Sequence, residues 1–295
     1  PCHLATLSPC HLFGGGAVTV LEFTLLVWLG ALVAGFLGAL TGLGGGVVIV
    51  PLLALVFGVD LRYAIGASLV SVIATSSGAA AAYVKEGYSN IRLGMFLEIA
   101  TTFGALSGAF VAVLVAPNLV AVVFGVALLL SAYLSSRPRN EQADPGPPDP
   151  LAMRLRLDST YPTPQGPQPY HVHRVPLGWC LMFVAGILSG LLGIGSGAFK
   201  VLAMDQAMRI PFKVSTTTSN FMIGVTAAAS AGVYLARGYI DPGLVMPVML
   251  GVLVGSVLGA RVLAVAEVKV LRLIFGVVIL VLGVEMIYKG VTGNL

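Results

Sequence analysis

The chain has 295 residues, 57% of them hydrophobic and only 9% charged, with a mean hydropathy of +0.97, a net charge of +4 and a pI near 9.1. So little polar surface cannot cover a soluble globule of this length, and the solvent for most of the chain is lipid. The 16 Lys and Arg are spread thinly between apolar segments, which excludes a nucleic-acid footprint, and three cysteines without a CxxC give neither a disulfide framework nor a zinc site.

In chain order, residues 1–19 carry a repeated Pro-Cys-His-Leu and read as a leader or disordered tail. A first membrane repeat over 20–134 follows, with apolar runs at 20–41, 46–58, 63–84, 93–116 and 119–134. Residues 135–176 form a Pro-rich linker in which the alternating runs Leu151–Leu157 and Tyr170–Val175 predict a small β-hairpin. On such a strand His171 and His173 would share one face, as a solvated face or as part of a metal site. The second membrane repeat, 177–295, holds runs at 177–192, 197–210, 214–235, 243–266 and 270–288.

The repeats are copies. Gly42-Leu43-Gly44-Gly45-Gly46 and Gly193-Ile194-Gly195-Ser196-Gly197 lie at one offset, and the same ungapped offset sets Ser68 on Ser219, Tyr83 on Tyr234, Gly104 on Gly255 and Phe124-Gly125 on Phe275-Gly276. A run such as 46–58 makes roughly 20 Å of helix at about 1.5 Å per residue, too short for a hydrocarbon core of about 30 Å. The economical reading is a hairpin that enters, turns at the glycines and returns, followed by three full crossings. An odd number of crossings inverts the second repeat. Inversion also gathers Lys85, Arg92, Arg137, Arg139, Arg174, Arg209, Lys213, Lys269 and Arg272 on one side, leaving Arg62, Arg237 and Lys289 on the other. Because basic loops stay in the cytoplasm, both termini are expected outside and the linker inside.

The fold class expected is therefore an all-α integral membrane protein of two inverted repeats, each opening with a glycine-broken or re-entrant hairpin. The doubled turns, Pro51-Leu52-Leu53 after the first, the Ser/Thr-rich third segments and the Gly-Tyr loops make residues 20–288 resemble the sulfite exporter TauE/SafE family of permeases. That resemblance implies an inner-membrane protein moving sulfur-containing anions such as sulfite or organosulfonates.

The residues point to an anion on their own account. Helices starting near 46 and 197 aim backbone N–H groups at the turns, and such ends attract oxyanions. Gly44, Gly45, Gly46, Gly195, Ser196 and Gly197 are the first candidates for a substrate site; the alternative is that they only permit tight turns and close helix packing. Ser68, Ser219 and Asn220 add neutral donors, unless such side chains only satisfy their own helix carbonyls or glue neighbouring helices. Lys200, one turn past the second cluster, either neutralises an anion or pairs with Asp205. Glu98 and Arg261 fall near the cytoplasmic end of the fourth segments, as a structural or gating pair or with Glu98 as a proton-coupling carboxylate. The stripes Gly104-x-x-x-Gly108 and Gly251-x-x-x-Gly255-x-x-x-Gly259 suit internal packing, a surface on which one repeat rocks, or a contact in a homodimer. No cofactor is implied. The chain lacks an HExxH, a Walker loop or a close His/Asp pair in a membrane segment, so a carrier of small anions is expected, with a cation-coupled carrier of another inorganic or carboxylate anion, or a membrane-embedded enzyme, as alternatives.

Overall fold

The computed structural model describes residues 10–12, 16–18, 20–41, 45–85, 89–135, 149–163, 166–263 and 268–293. Within the segment read as a leader, β1 (Cys10–Leu12) and β2 (Gly16–Val18) form a short antiparallel ribbon. The rest is dominated by helices: α1 (Val20–Thr41), α2 (Gly46–Pro51) running into a π-turn (Leu52–Val56), α3 (Leu61–Lys85), α4 (Ile91–Leu114) and α5 (Pro117–Ser135). After the linker come α7 (Val175–Leu192), α8 (Gly197–Leu202) with its own π-turn (Ala203–Ala207), α9 (Phe212–Ala236), α10 (Pro242–Leu263) and α11 (Val268–Thr292). Gly46 and Gly197, Leu52 and Ala203, Leu61 and Phe212, Ile91 and Pro242, and Pro117 and Val268 open equivalent elements at a single offset.

Local propensity is overruled where lipid is the solvent. Val47-Val48-Ile49-Val50 is a β-branched run of the kind that suits strands, yet it is helical and buried. Without water to bond its backbone, the segment must satisfy its own N–H and C=O groups. The π-turn that follows is not caused by Pro51, because the second repeat makes the same turn with Leu202 at that position.

The repeats interlock by exchange. The first helix of each lies against the fourth of the other, α1 on α10 and α4 on α7, while like meets like in α3 with α9 and α5 with α11. Gly104 and Gly108 rest on Phe183 and Ile187 in turn, and Gly251 and Gly255 on Trp28 and Leu32, so α4 runs parallel to α7 and α10 to α1. The like pairs run antiparallel: Gly125 lies against Gly283 and Ile287 whereas Gly290 lies against Asn118 and Val122, and Gly224 lies against Ser76 whereas Tyr63 stacks edge-on with Tyr239. The glycine stripes are thus internal packing faces, joining one repeat to the other.

Among the described residues three helices, Ile91–Leu114, Val175–Leu192 and Phe212–Ala236, are long and apolar enough to cross a membrane by themselves. On α4 the buried face is small, with Ala100, Gly104, Ala105, Gly108 and Ala109, and the large side chains Met95, Ile99, Phe103 and Phe110 point outward. In water that face would be a liability; in lipid it is solvated.

The linker corrects the expected hairpin. Leu151 to Leu155 belong to a helix, α6 (Pro150–Leu155), started by Asp149, whose Oδ1 accepts from Leu151 N at 2.9 Å with Pro150 at the first turn. The hairpin is formed instead by β3 (Ser159–Thr163) and β4 (Gly166–Tyr170), with Ser159 opposite Tyr170. It docks through Asn90, whose Nδ2 donates to Tyr170 Oη at 2.8 Å and Leu157 O at 2.9 Å while Oδ1 caps α4 through Leu93 N. Burial pushes the Tyr170 phenol up to about 12. His171 and His173 lie beyond the strand, His171 Nδ1 standing 3.1 Å from Asp158 Oδ2.

Candidate functional site

The second of the two short helices, α8, starts at a break built on left-handed backbone. Gly193 (φ 68°) ends α7, and Gly195 (φ 68°) and Ser196 (φ 47°) continue in the left-handed region before α8 begins. A non-glycine there is strained, so Ser196 is held by its surroundings. The two breaks touch: a Cβ on Gly46 would come within 2.7 Å of Ser68 Oγ and 3.2 Å of Gly193 O. Gly44 lies outside the described residues. Gly45 lies against Val252 and Ile49, and its carbonyl accepts from the backbone N–H groups of Val48 and Ile49, both at 3.1 Å.

The serines chosen from the duplication are already engaged. Ser68 donates to Gly193 O at 2.8 Å and Ser219 to Gly197 O at 3.3 Å. They fasten the third helices to the second break, which is the packing role weighed against ligand binding, and each keeps lone pairs but no spare proton. Asn220 is half-buried. Among the described residues Ser196, 1% exposed, carries a hydroxyl without a hydrogen-bond partner at the second break.

Lys200 is wholly buried, and the carboxylate facing it is Glu98 rather than Asp205. Their atoms Nζ and Oε2 stand 3.9 Å apart, and Thr226 bridges them: its hydroxyl accepts from Lys200 Nζ and donates to Glu98 Oε1 at 2.6 Å, a length typical of a bond to an ionised acceptor. Thr102 gives Oε1 a second donor at 3.3 Å. Charge this far from solvent persists only when paired. Asp205 accepts from Gln206 Nε2 at 3.2 Å. The Glu98 carboxylate meets Lys200 and Thr226; its expected pairing with Arg261 falls on a side chain outside the described residues.

Thr226 escaped sequence reasoning, although its counterpart Thr75 sits in the serine-rich stretch of the first repeat and offered a signal. Lys200 and Glu98 have no counterparts, since the same offset puts Ile49 and Met249 there. At the ends of the bundle, Arg62 donates to Tyr239 Oη at 3.3 Å and to the carbonyls of Val113 and Val115, each at 3.2 Å, and Lys289 donates to Leu55 O at 3.3 Å. Arg92, the hairpin and Met208 gather at the opposite end, through Arg92 Nη1 on Arg156 O and His173 N on Met208 O.

Residues 27–286 match the model of the family described as Sulfite exporter TauE/SafE. The chain is 30% identical over 284 residues to the Bacillus subtilis protein named Probable membrane transporter protein YunE, covering 92% of this chain and 99% of that one. It is 26% identical to the Bacillus subtilis Probable membrane transporter protein YdhB, over 80% of this chain and 87% of that one, and 25% identical to the Methanocaldococcus jannaschii Probable membrane transporter protein MJ0441, over 92% and 99%. No solved structure matches it. With the match running from α1 to α11 across both glycine breaks, the chain belongs to the sulfite exporter TauE/SafE family and is a helical membrane permease.

Proposed function

We propose that this permease carries small sulfur-containing anions, sulfite or organosulfonates, by alternating access around the meeting point of its two glycine breaks. The observation that carries the reading is the contact of Gly46, Ser68 and Gly193, which brings the interrupted segments of both repeats to one place. Non-helical backbone at membrane depth is tolerated only inside protein or along a water-filled cavity, and transporters bind there. Ser196 Oγ supplies an uncommitted donor, and Lys200 lies one turn beyond it, its N–H on Ser196 O at 3.0 Å. Gly45, Gly46, Gly195 and Gly197 form the buried breaks, Gly46 against Ser68 and Val72 and Gly195 against Ile223, while Ser68, Ser219 and Asn220 line the supporting helices.

Inversion of the repeats is part of the proposal. Its support is the antiparallel course of the counterparts α3 with α9 and α5 with α11, which an axis lying in the membrane plane produces. The bias of basic residues supports a cytoplasmic linker and external termini, and an inner membrane is what the family resemblance implies. Cysteines introduced at Asn140 and Arg237, with Cys2, Cys10 and Cys180 replaced, are expected to label from opposite sides of sealed vesicles. Labelling from one side would refute the inversion.

Counterflow tests the cargo. Proteoliposomes loaded with sulfite, taurine or sulfoacetate should drive uptake of labelled sulfite, and Gly195→Leu should cut it at least about tenfold, because the side chain meets both a left-handed backbone and Ile223 Cγ2 at 2.7 Å. Folded protein that exchanges none of these anions would end the assignment.

A further inference from the structure

Lys200, Thr226 and Glu98 are 0%, 0% and 5% exposed, so two opposite charges are held where neither meets water. The two carboxylate oxygens are not equivalent. Oε1 receives Thr226 and Thr102, while Oε2 has no hydrogen-bond partner and, among the described residues, faces the ammonium at 3.9 Å. The ammonium spends one of its three donors on Thr226, and on the chain it lies one turn from the partnerless Ser196 hydroxyl. Among the described residues the charged groups around Glu98 are few. Helix α7, its larger neighbour, carries no Asp, Glu, Lys or Arg; α9 offers Thr226 and, on its exposed first turn, Lys213; α8 offers Lys200; and Asp205 in the following π-turn bonds Gln206.

We propose that Glu98 is a built-in counter-anion for Lys200, which the transported anion displaces, and that the displaced carboxylate takes up a proton, so that one H⁺ travels with each monoanion. The idea rests on the transport reading above and adds its coupling. Counted over the described residues the empty site is neutral, one ammonium with one carboxylate. A second anion would leave it at a net charge of −1 away from water, and a carboxylate stripped of its cation in such a place neutralises itself. A proton drawn from the side that delivers the substrate and bound at Oε2 restores neutrality, while Oε1 keeps both threonine donors. Lys200, a point charge on a flexible stem, can exchange one partner for the other as an Arg fork could not. Empty and loaded carriers then have equal charge, so monoanion movement follows the pH gradient and not the membrane potential.

The test uses full-length protein in proteoliposomes with labelled methanesulfonate, which stays a monoanion across the working pH range. Wild type should show counterflow at equal pH, and with the lumen one pH unit more alkaline it should accumulate methanesulfonate about tenfold, whether or not the potential is clamped with valinomycin and K⁺. Glu98→Gln should bring accumulation down to about the external concentration while some exchange remains, and Lys200→Gln should lose both. Wild-type counterflow with accumulation indifferent to pH overturns the coupling and spares the carrier. Absence of wild-type counterflow for methanesulfonate and sulfite alike overturns the carrier reading and the coupling with it. Full accumulation by Glu98→Gln overturns the role of that residue. The wild-type arms need no variant, so the proposal stays exposed to refutation even where Glu98→Gln does not fold.

Discussion

Leucine at Gly190 or Gly255 is expected to abolish the folded protein. At both positions even a Cβ would stand 2.0 Å from a carbonyl oxygen of the facing helix, Ala105 O for Gly190 and Leu32 O for Gly255. Backbone cannot swing aside as a side chain does, so the helices must separate. Alanine alone is expected to cost about 1–3 kcal/mol, the usual price of overpacking, and leucine more. Separation also forfeits the close packing that holds membrane helices together where no hydrophobic drive exists between them. Melting of detergent-solubilised protein, followed by size-exclusion fluorescence, measures this. Gly232, exposed on α9 with nothing within 4 Å of a built Cβ, is the control: Gly232→Ala should melt no lower than wild type. Equal losses at Gly232 and Gly255 would show that helix contact is not what these glycines serve.

The second large effect concerns the buried ion pair as a structural element. Lys200→Met and Glu98→Gln are each expected to destabilise by about 3–5 kcal/mol, because each strands the other charge away from water. The double variant should recover most of that loss, since a neutral pair of similar volume removes both desolvation costs. A double-mutant cycle on melting temperature isolates the interaction. Additive losses would mean that the two charges are separately compensated and that Thr226 does not link them.

Much of this arrangement was legible in the amino-acid sequence. The lipid-facing composition, the approximate extents of the ten apolar segments and the duplication follow from apolar runs, glycine breaks and one constant offset, because helices in lipid must close their own hydrogen bonds and so end near where the pattern ends. The linker was harder to read. Leu151 to Leu157 alternates like a strand, but Asp149 and Pro150 supply a helix start that local chemistry favours over the pattern. Among the candidate site residues, the glycines stood out by their backbone demands. The partner of Glu98 did not: Lys200 lies 102 positions away and Thr226 128, and only the exchange of neighbours between the repeats brings them to α4. Ser68 and Ser219 were recognisable as a matched pair, yet which carbonyl each would hold depended on where the second break folds back.

The charges at 98 and 200 have a further consequence for the cycle. Under the alternating access proposed above, two halves built to one plan would exchange conformations and define a pair of end states, equally populated if the halves were identical. Ile49 and Met249 occupy the positions where a second lysine and a second glutamate would complete the symmetry. On that reading the charges at 98 and 200 are among the differences between the repeats that lift the degeneracy, and they bias the resting orientation according to which half carries the lysine. A chain with the two residues transplanted onto Met249 and Ile49 would rest facing the other way.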